Sequence, residues 1–198
     1  MPRQPTFIGL TCVDDRSRPH LGGNVKEGDP FSYAPSVWDY VIKRLGIHSV
    51  LDLGSGMGHA ADYFHRSGLQ VIAVDGLEKN IEHAIYPTVL TDLSQTSVTS
   101  RVDLVHCQEF VEHVKPAYLD NVIESLLCGR YILMTHATPG QGGYHHVNEQ
   151  PPEYWIEHLK IAGCEVMVED TARIRDLAAR DGATYLEKTG LLLANTGI

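Results

Sequence analysis

The hydrophobic pattern divides the chain near residue 35. Residues 1–35 are rich in turn formers, including Arg18-Pro19, Gly22-Gly23-Asn24 and Gly28-Asp29-Pro30, and hold no sustained period. They are expected to form an arm or lid and not a domain. Ser36 is suited to cap a helix, and Trp38, Val41, Ile42 and Leu45 then recur at i, i+3, i+4 and i+7 until Gly46 ends the pattern. Beyond it, short continuous apolar runs alternate with amphipathic stretches. The runs predict strands at Ser49–Leu53, Val71–Asp75, Val89–Thr91, Val102–Cys107, Tyr131–His136, Cys164–Val168 and Gly190–Ala194. Helices are expected through Leu119, Val122, Ile123 and Leu126 after Pro116, through Trp155, Ile156 and Leu159 after Pro151-Pro152, and briefly around Ile174, Leu177 and Ala178.

Strands that read as continuous apolar runs are those buried on both faces, which is what helices packed on either side of a parallel sheet produce. The fold class is therefore α/β, a Rossmann-like three-layer sandwich with residues 36–198 as one domain. The length of 198 residues suits one such core and leaves no room for a second catalytic domain.

The charge balance narrows the partners. A net charge of −9, with no Lys/Arg run longer than two, offers no footprint for a polyanion, so nucleic acid is disfavoured. The longest early apolar run, Phe7–Leu10, is too short for a signal core or a membrane span. Cys12, Cys107, Cys128 and Cys164 show no CxxC spacing, which reads as reduced thiols in a cytoplasmic protein.

The sharpest chemical signal is Val50-Leu51-Asp52-Leu53-Gly54-Ser55-Gly56-Met57-Gly58-His59, where an apolar strand breaks into alternating glycines and enters a helix. Glycines let a backbone turn sharply and approach a ligand with no Cβ in the way. Val71-Ile72-Ala73-Val74-Asp75 then places an acid at the end of the next strand, about 20 residues on, where a carboxylate accepts from ribose hydroxyls. Together they specify an adenosine-containing cofactor. The dinucleotide fingerprint would place its third glycine at position 59, which is His, and the glycine falls one residue early at Gly58. Asp52 would repel the phosphates of a dinucleotide but attract the ammonium of S-adenosyl-L-methionine. Asp92-Leu93 adds a strand-end acid beside an apolar residue, suited to an adenine amino group and ring.

These stretches, VLDLGSGMG, VIAVDG, TDLS and VDLVHCQEFVEH, resemble class I S-adenosylmethionine-dependent methyltransferases over roughly residues 36–168. The resemblance implies a seven-stranded sheet of order 3-2-1-4-5-7-6 with the seventh strand antiparallel. It also implies a cofactor site of Asp52, Gly54, Ser55, Gly56, Asp75, Gly76, Asp92, Leu93 and Gln108. The helical segment before the last strand is longer than the family's usual hairpin.

Ligands of open α/β sheets lie beyond the strand carboxyl ends, so the acceptor should meet the residues after the fourth and fifth strands. The first group is Cys107, Gln108, Glu109, Glu112 and His113, and it lacks the Asn/Asp-Pro-Pro-Tyr/Phe sequence of many amino-group methyltransferases. Glu109 and His113, spaced i, i+4, are able to share a helix face. The second group is the long segment from His136 to Pro152, whose GGYHHVNEQ stretch resembles a loop of small-molecule and sugar methyltransferase-like proteins. Histidine is the natural base near neutral pH, and the candidates in order are His146, His145, His136 and His113, with Glu109 and Glu149 as orienting or substrate-binding groups. His145, His146, Glu149 and His136 offer nitrogen and oxygen ligand atoms for a metal. They show no HExxH, HxH or CxxC spacing, and a resident metal is not expected. The expected function is methyl transfer to a small polar acceptor, foremost a hydroxyl. A catalytically inactive cofactor-binding regulatory module and a nucleic-acid methyltransferase are the alternatives.

Overall fold

The computed structural model of the chain describes residues 12–22 and 24–197; the Phe7–Leu10 run lies outside the described residues. Within the arm, β1 (Cys12–Val13) and β2 (Asn24–Val25) pair as a short antiparallel ribbon. The helix predicted from its apolar face is α1 (Pro35–Leu45), closed by Gly46 in the left-handed conformation at φ 63°. Its start differs from the prediction. Pro35 occupies the first helical position after Ala34, and Ser36 lies inside the first turn. The carboxylate of Asp181 caps it instead, accepting from the Ser36 amide at 2.7 Å and the Ser36 hydroxyl at 2.6 Å across 145 residues of sequence. Only the tertiary fold brings that cap into place.

The main sheet is built from β3 (Ser49–Leu53), β4 (Gln70–Asp75), β5 (Thr88–Leu90), β6 (Val102–Cys107), β7 (Gly129–Met134), β8 (Cys164–Val166) and β9 (Leu191–Asn195). The spatial order is β5-β4-β3-β6-β7-β9-β8, which counted within this sheet alone is 3-2-1-4-5-7-6. β9 runs antiparallel to both of its neighbours and the remaining pairs are parallel. Between strands lie α2 (His59–Arg66), α3 (Glu78–His83), α4 (Leu119–Leu126), α5 (Pro152–Ile161), α6 (Val168–Asp181) and α7 (Thr184–Thr189).

Alternation along the strands sends side chains to two cores. Leu51, Leu53, Val105, Ile132 and Leu193 pack on α4 and α5 through Val122, Leu126, Trp155 and Leu159. Val50, Leu104, Leu133 and Leu192 pack on the opposite face against Val37, Trp38, Val41, Phe64, Ile174 and Leu186. Both faces are dry, which explains the continuous apolar runs in the sequence.

Several predicted boundaries shift. Val168 opens α6 and is not the end of β8, and Thr91 follows β5 because the Asp92 turn begins there. The short helix around Ile174 is a 14-residue helix, α6, followed by α7, and both close the face carrying α1. The i, i+4 helix face proposed for Glu109 and His113 does not form. Glu109 has φ 51° and the segment Val111–His113 is a single 3-10 turn.

Removing the Asp181 cap leaves first-turn donors of α1 without an acceptor. Asp181→Ala is expected to lower unfolding free energy by roughly 1–2 kcal/mol in urea titration, with no change in secondary-structure content of the folded state.

Candidate active site

The glycine turn begins where β3 ends. Gly54, Gly56 and Gly58 have φ of 75°, 55° and 77°, a region that side chains with a Cβ rarely enter. A Cβ on Gly54 would also lie 2.4 Å from the Phe110 ring. The turn is pinned to β4 by two backbone bonds, Gly54 and Ser55 N–H to the Val74 carbonyl, each 2.9 Å. The Gly56 amide donates to Asp75 Oδ2 at 2.8 Å, and Asp75 Oδ1 accepts from the Leu77 amide and from Asn80. Burial raises the Asp75 carboxyl above its ordinary value, and these three donors partly offset the rise.

Beyond the turn lies a cavity of about 340 Å³. Asp52, Gly54, Ser55, Gly56, Asp75, Gly76, Asp92, Leu93 and Gln108, all predicted from sequence as cofactor-binding, line it. Desolvation raises Asp92, but hydrogen bonds from Ser94 and His20 outweigh it and hold the carboxyl below its usual value. The arm forms the outer wall. His20 contacts Asp92 at 3.2 Å, Leu21 sits over Gly76, and the Ser32 carbonyl accepts from Gln108 at 2.9 Å.

One wall residue went unnoticed in the sequence. His106 on β6 stands opposite Asp52 in the parallel register, and its Nδ1 lies 2.7 Å from Asp52 Oδ1. Both residues are buried, and the imidazole makes edge contacts with Trp38 and Phe64. The signal available was a polar residue inside the apolar run Val102–Cys107, at the level of the acid three strands earlier in sequence. Asp52 Oδ2, Ser55 Oγ and Gln108 Oε1 are buried on this cavity with no hydrogen-bond partner among the described residues. Lys115 is the one lysine or arginine among the lining residues.

The acceptor-side candidates separate in space. Glu109 and His113 line the cavity, whereas His136, His145, His146 and Glu149 do not. Glu109 is held in its left-handed backbone by Thr135, whose hydroxyl accepts from the Glu109 amide and donates to Oε1, both at 2.8 Å. Burial pushes the Glu109 carboxyl up to about 7. Burial, followed by the neighbouring His146 and His145, depresses His113 to about 4. His136 is buried with its Nδ1 at 3.4 Å from the Ala137 carbonyl. His146 stacks edge-on to His113 at 5.1 Å between ring centroids. Glu149 organises the loop, accepting from the Gly140 and Gly142 amides and standing 3.2 Å from His146 Nδ1.

Among the described residues no helix is long and apolar enough to cross a membrane. Cys107, Cys128 and Cys164 are buried.

A family model described as a methyltransferase domain matches residues 32–167. The chain belongs to that methyltransferase family. Its fold recurs in magnesium protoporphyrin IX methyltransferase from Synechocystis with bound SAM, at TM-score 0.54, 19% identity and 66% coverage of each chain. It recurs also in a SAM-dependent methyltransferase from Archaeoglobus fulgidus, at TM-score 0.52 and 18% identity, covering 82% of this chain and 94% of that one. The [4+2]-cyclase SpnF shares it at TM-score 0.53 and 12% identity, covering 81% of this chain and 79% of that one. No curated protein sequence matches the chain.

The Glu109 shift sets a pH dependence of stability in this methyltransferase domain. Unfolding lets the carboxyl release its proton above about 4.5, whereas the folded state keeps it up to about 7. The folded state thus binds more protons in that window, and stability falls as pH rises through it. Glu109→Gln removes the loss, so the variant should gain on the wild type by up to about 3 kcal/mol between pH 4.5 and 8. Denaturant titrations across that range in EDTA-containing buffer check this, and a constant difference would refute it.

Proposed function

We propose that this methyltransferase domain binds S-adenosyl-L-methionine in the 340 Å³ cavity and methylates a small polar acceptor, foremost at a hydroxyl. The observation that carries the reading is the set of buried acceptors with no partner among the described residues, Asp52 Oδ2, Ser55 Oγ and Gln108 Oε1, on a wall with four aspartates. A buried acceptor without a donor is costly, and a ligand that brings an ammonium and hydroxyls relieves it. The same wall fits a dinucleotide poorly, because a pyrophosphate would meet carboxylates and find, among the described residues, Lys115 as its sole Lys/Arg partner. Asp52 would hold the ammonium, Asp75 the ribose, and Asp92 with Leu93 the adenine, while the bare glycines allow close backbone approach.

Bound there, the cofactor supplies an electrophilic methyl group. The protein's part is to align the acceptor and, for a hydroxyl, take its proton. Glu109 is placed for the second task. It lines the cavity, Thr135 fixes its carboxyl, and its affinity for a proton is matched to neutral pH. The arm residues His20, Leu21 and Ser32 complete the wall as a lid.

Melting the protein with S-adenosylmethionine, S-adenosylhomocysteine or NAD separates the cofactor readings. A ligand at ~100 times its dissociation constant adds about 2.7 kcal/mol, roughly 5–11 °C for a chain of this size. The two sulfur compounds should give this shift and NAD none; a shift with NAD alone would overturn the proposal. Asp75→Ala should weaken S-adenosylhomocysteine at least ~10-fold by calorimetry, since hydrogen bonds to a charged group are lost. With an acceptor found by screening small hydroxylated metabolites, Glu109→Gln should lower kcat by ~10²-fold while leaving S-adenosylhomocysteine affinity intact. Undiminished kcat would remove Glu109 as the base. Retained cofactor binding with no transfer to any acceptor would favour a regulatory module.

A further inference from the structure

Behind the acceptor wall, three side chains from two separate segments converge. Glu112 and His113 belong to the 3-10 turn after β6, and His146 to the loop after β7. One ligand atom from each lies within 4.8 Å of the other two. Glu112 is 0% exposed, and among the described residues its carboxyl meets the Glu109 carboxyl and its own backbone but no cationic side chain. The His113 ring is held by the Tyr144 and His145 backbone, and its Nδ1 is buried with no partner among the described residues. Such groups are ordinarily satisfied by a donor, a water or a cation.

The surroundings hold these atoms in place. The Val147 and Asn148 amides donate to the Glu112 carbonyl at 2.9 and 3.1 Å, bolting the His146 loop onto the Glu112 backbone. Glu149 stands against His146 Nδ1 and is itself held by two glycine amides. A carboxylate accepting from one imidazole nitrogen fixes the tautomer and leaves the other nitrogen as a lone-pair donor, the usual outer shell of a metal-binding histidine.

We propose that Glu112, His113 and His146 form a site for a divalent transition-metal ion at the acceptor end of the cavity. Two imidazoles and one carboxylate suit Zn²⁺, Co²⁺, Mn²⁺ or Fe²⁺ and not the all-oxygen preference of Ca²⁺ or Mg²⁺. Metal–ligand distances of about 2.0–2.2 Å require the three atoms to draw together from their present spacing, within reach of side-chain rotation. Three protein ligands leave a coordination position open, and His113 also lines the cavity, so that position faces the acceptor. There the metal would hold an acceptor oxygen and lower the pKa of its hydroxyl. This last role rests on the hydroxyl-acceptor reading; the metal site itself does not.

The test is Co²⁺ titration of the EDTA-stripped, dialysed protein, followed by the visible absorption of bound Co²⁺, with S-adenosylhomocysteine affinity measured in parallel. The wild type should bind one Co²⁺, displaced by Zn²⁺ and not by Mg²⁺. Loss of an outer-shell partner alone costs a metal ~10–100-fold in affinity, so His146→Ala should weaken Co²⁺ by at least that factor. Glu112→Gln, nearly the same shape, should do the same while melting as a folded protein. His48→Ala, at a histidine 88% exposed, should bind as the wild type does. No Co²⁺ binding by the wild type, or equal binding by His146→Ala and Glu112→Gln, would overturn the site. Co²⁺ binding without S-adenosylhomocysteine binding would retain the metal site and sink the proposed cofactor. The reverse result would sink the metal and leave that function standing.

Discussion

The bond from the Gly56 amide to the Asp75 carboxylate is the contact on which the site depends. It joins a turn of three positive-φ glycines to the end of the neighbouring strand. Both partners lie where β3 and β4 stop and the sheet gives way to helices. A loop with three positive φ angles has no intrinsic reason to hold one shape. Fastened to Val74 and Asp75, it becomes a fixed ledge of backbone amides. Asp52 at the end of β3, Asp75 at the end of β4 and Asp92 just past β5 then stand in a row across the same edge of the sheet. That row of carboxylates, with Lys115 the single lysine or arginine among the described lining residues, is the feature on which the proposed cofactor reading rests.

A second set of constraints acts from the far side of the sheet. The segment between β8 and β9 carries α6 and α7, and Ile174, Leu177, Ala178 and Leu186 complete the core beneath α1. Asp181 at the end of α6 caps α1, and Asp170 in its first turn accepts from Tyr40 and Arg44 of α1. Trp38 on α1 in turn supports His106, the partner of Asp52. An addition at the sheet edge is thereby coupled through packing to the charge arrangement at its centre.

The acceptor side is a meeting of two loops. The segment after β6 supplies Glu109, Glu112 and His113, and the segment after β7 brings His146 against them and sends Tyr144 onto the arm at Gly22 and Asp14. Glu109 and His145 both hold left-handed backbone conformations, at φ 51° and 50°. Such conformations persist where surrounding contacts over-determine them, and they gather at functional sites. Here the contacts are Thr135 for Glu109 and the Glu112–loop amide bonds two residues from His145.

Local chemistry made much of this legible in the sequence. Continuous apolar runs announced strands covered on both faces, and the alternating glycines followed by a strand-end acid announced the turn and the carboxylate that now line one cavity, because each signal is carried by residues adjacent in the chain. The i, i+4 reading of Glu109 and His113 failed because periodicity cannot see that Thr135, 26 residues away, holds Glu109 out of a helix. His106 escaped notice because its role comes from parallel register with Asp52, 54 residues earlier. The Ser36 cap was misplaced because the actual acceptor, Asp181, arrives from the other end of the domain. The sequence by itself determined the elements, the class of sheet and the chemistry of its central turn, since these follow from nearest neighbours and period. Which carboxylate caps which helix, which histidine faces the cavity, and which three ligands converge behind it were decided only by the tertiary structure. Those relations depend on strand register and loop docking between residues that sequence spacing leaves far apart.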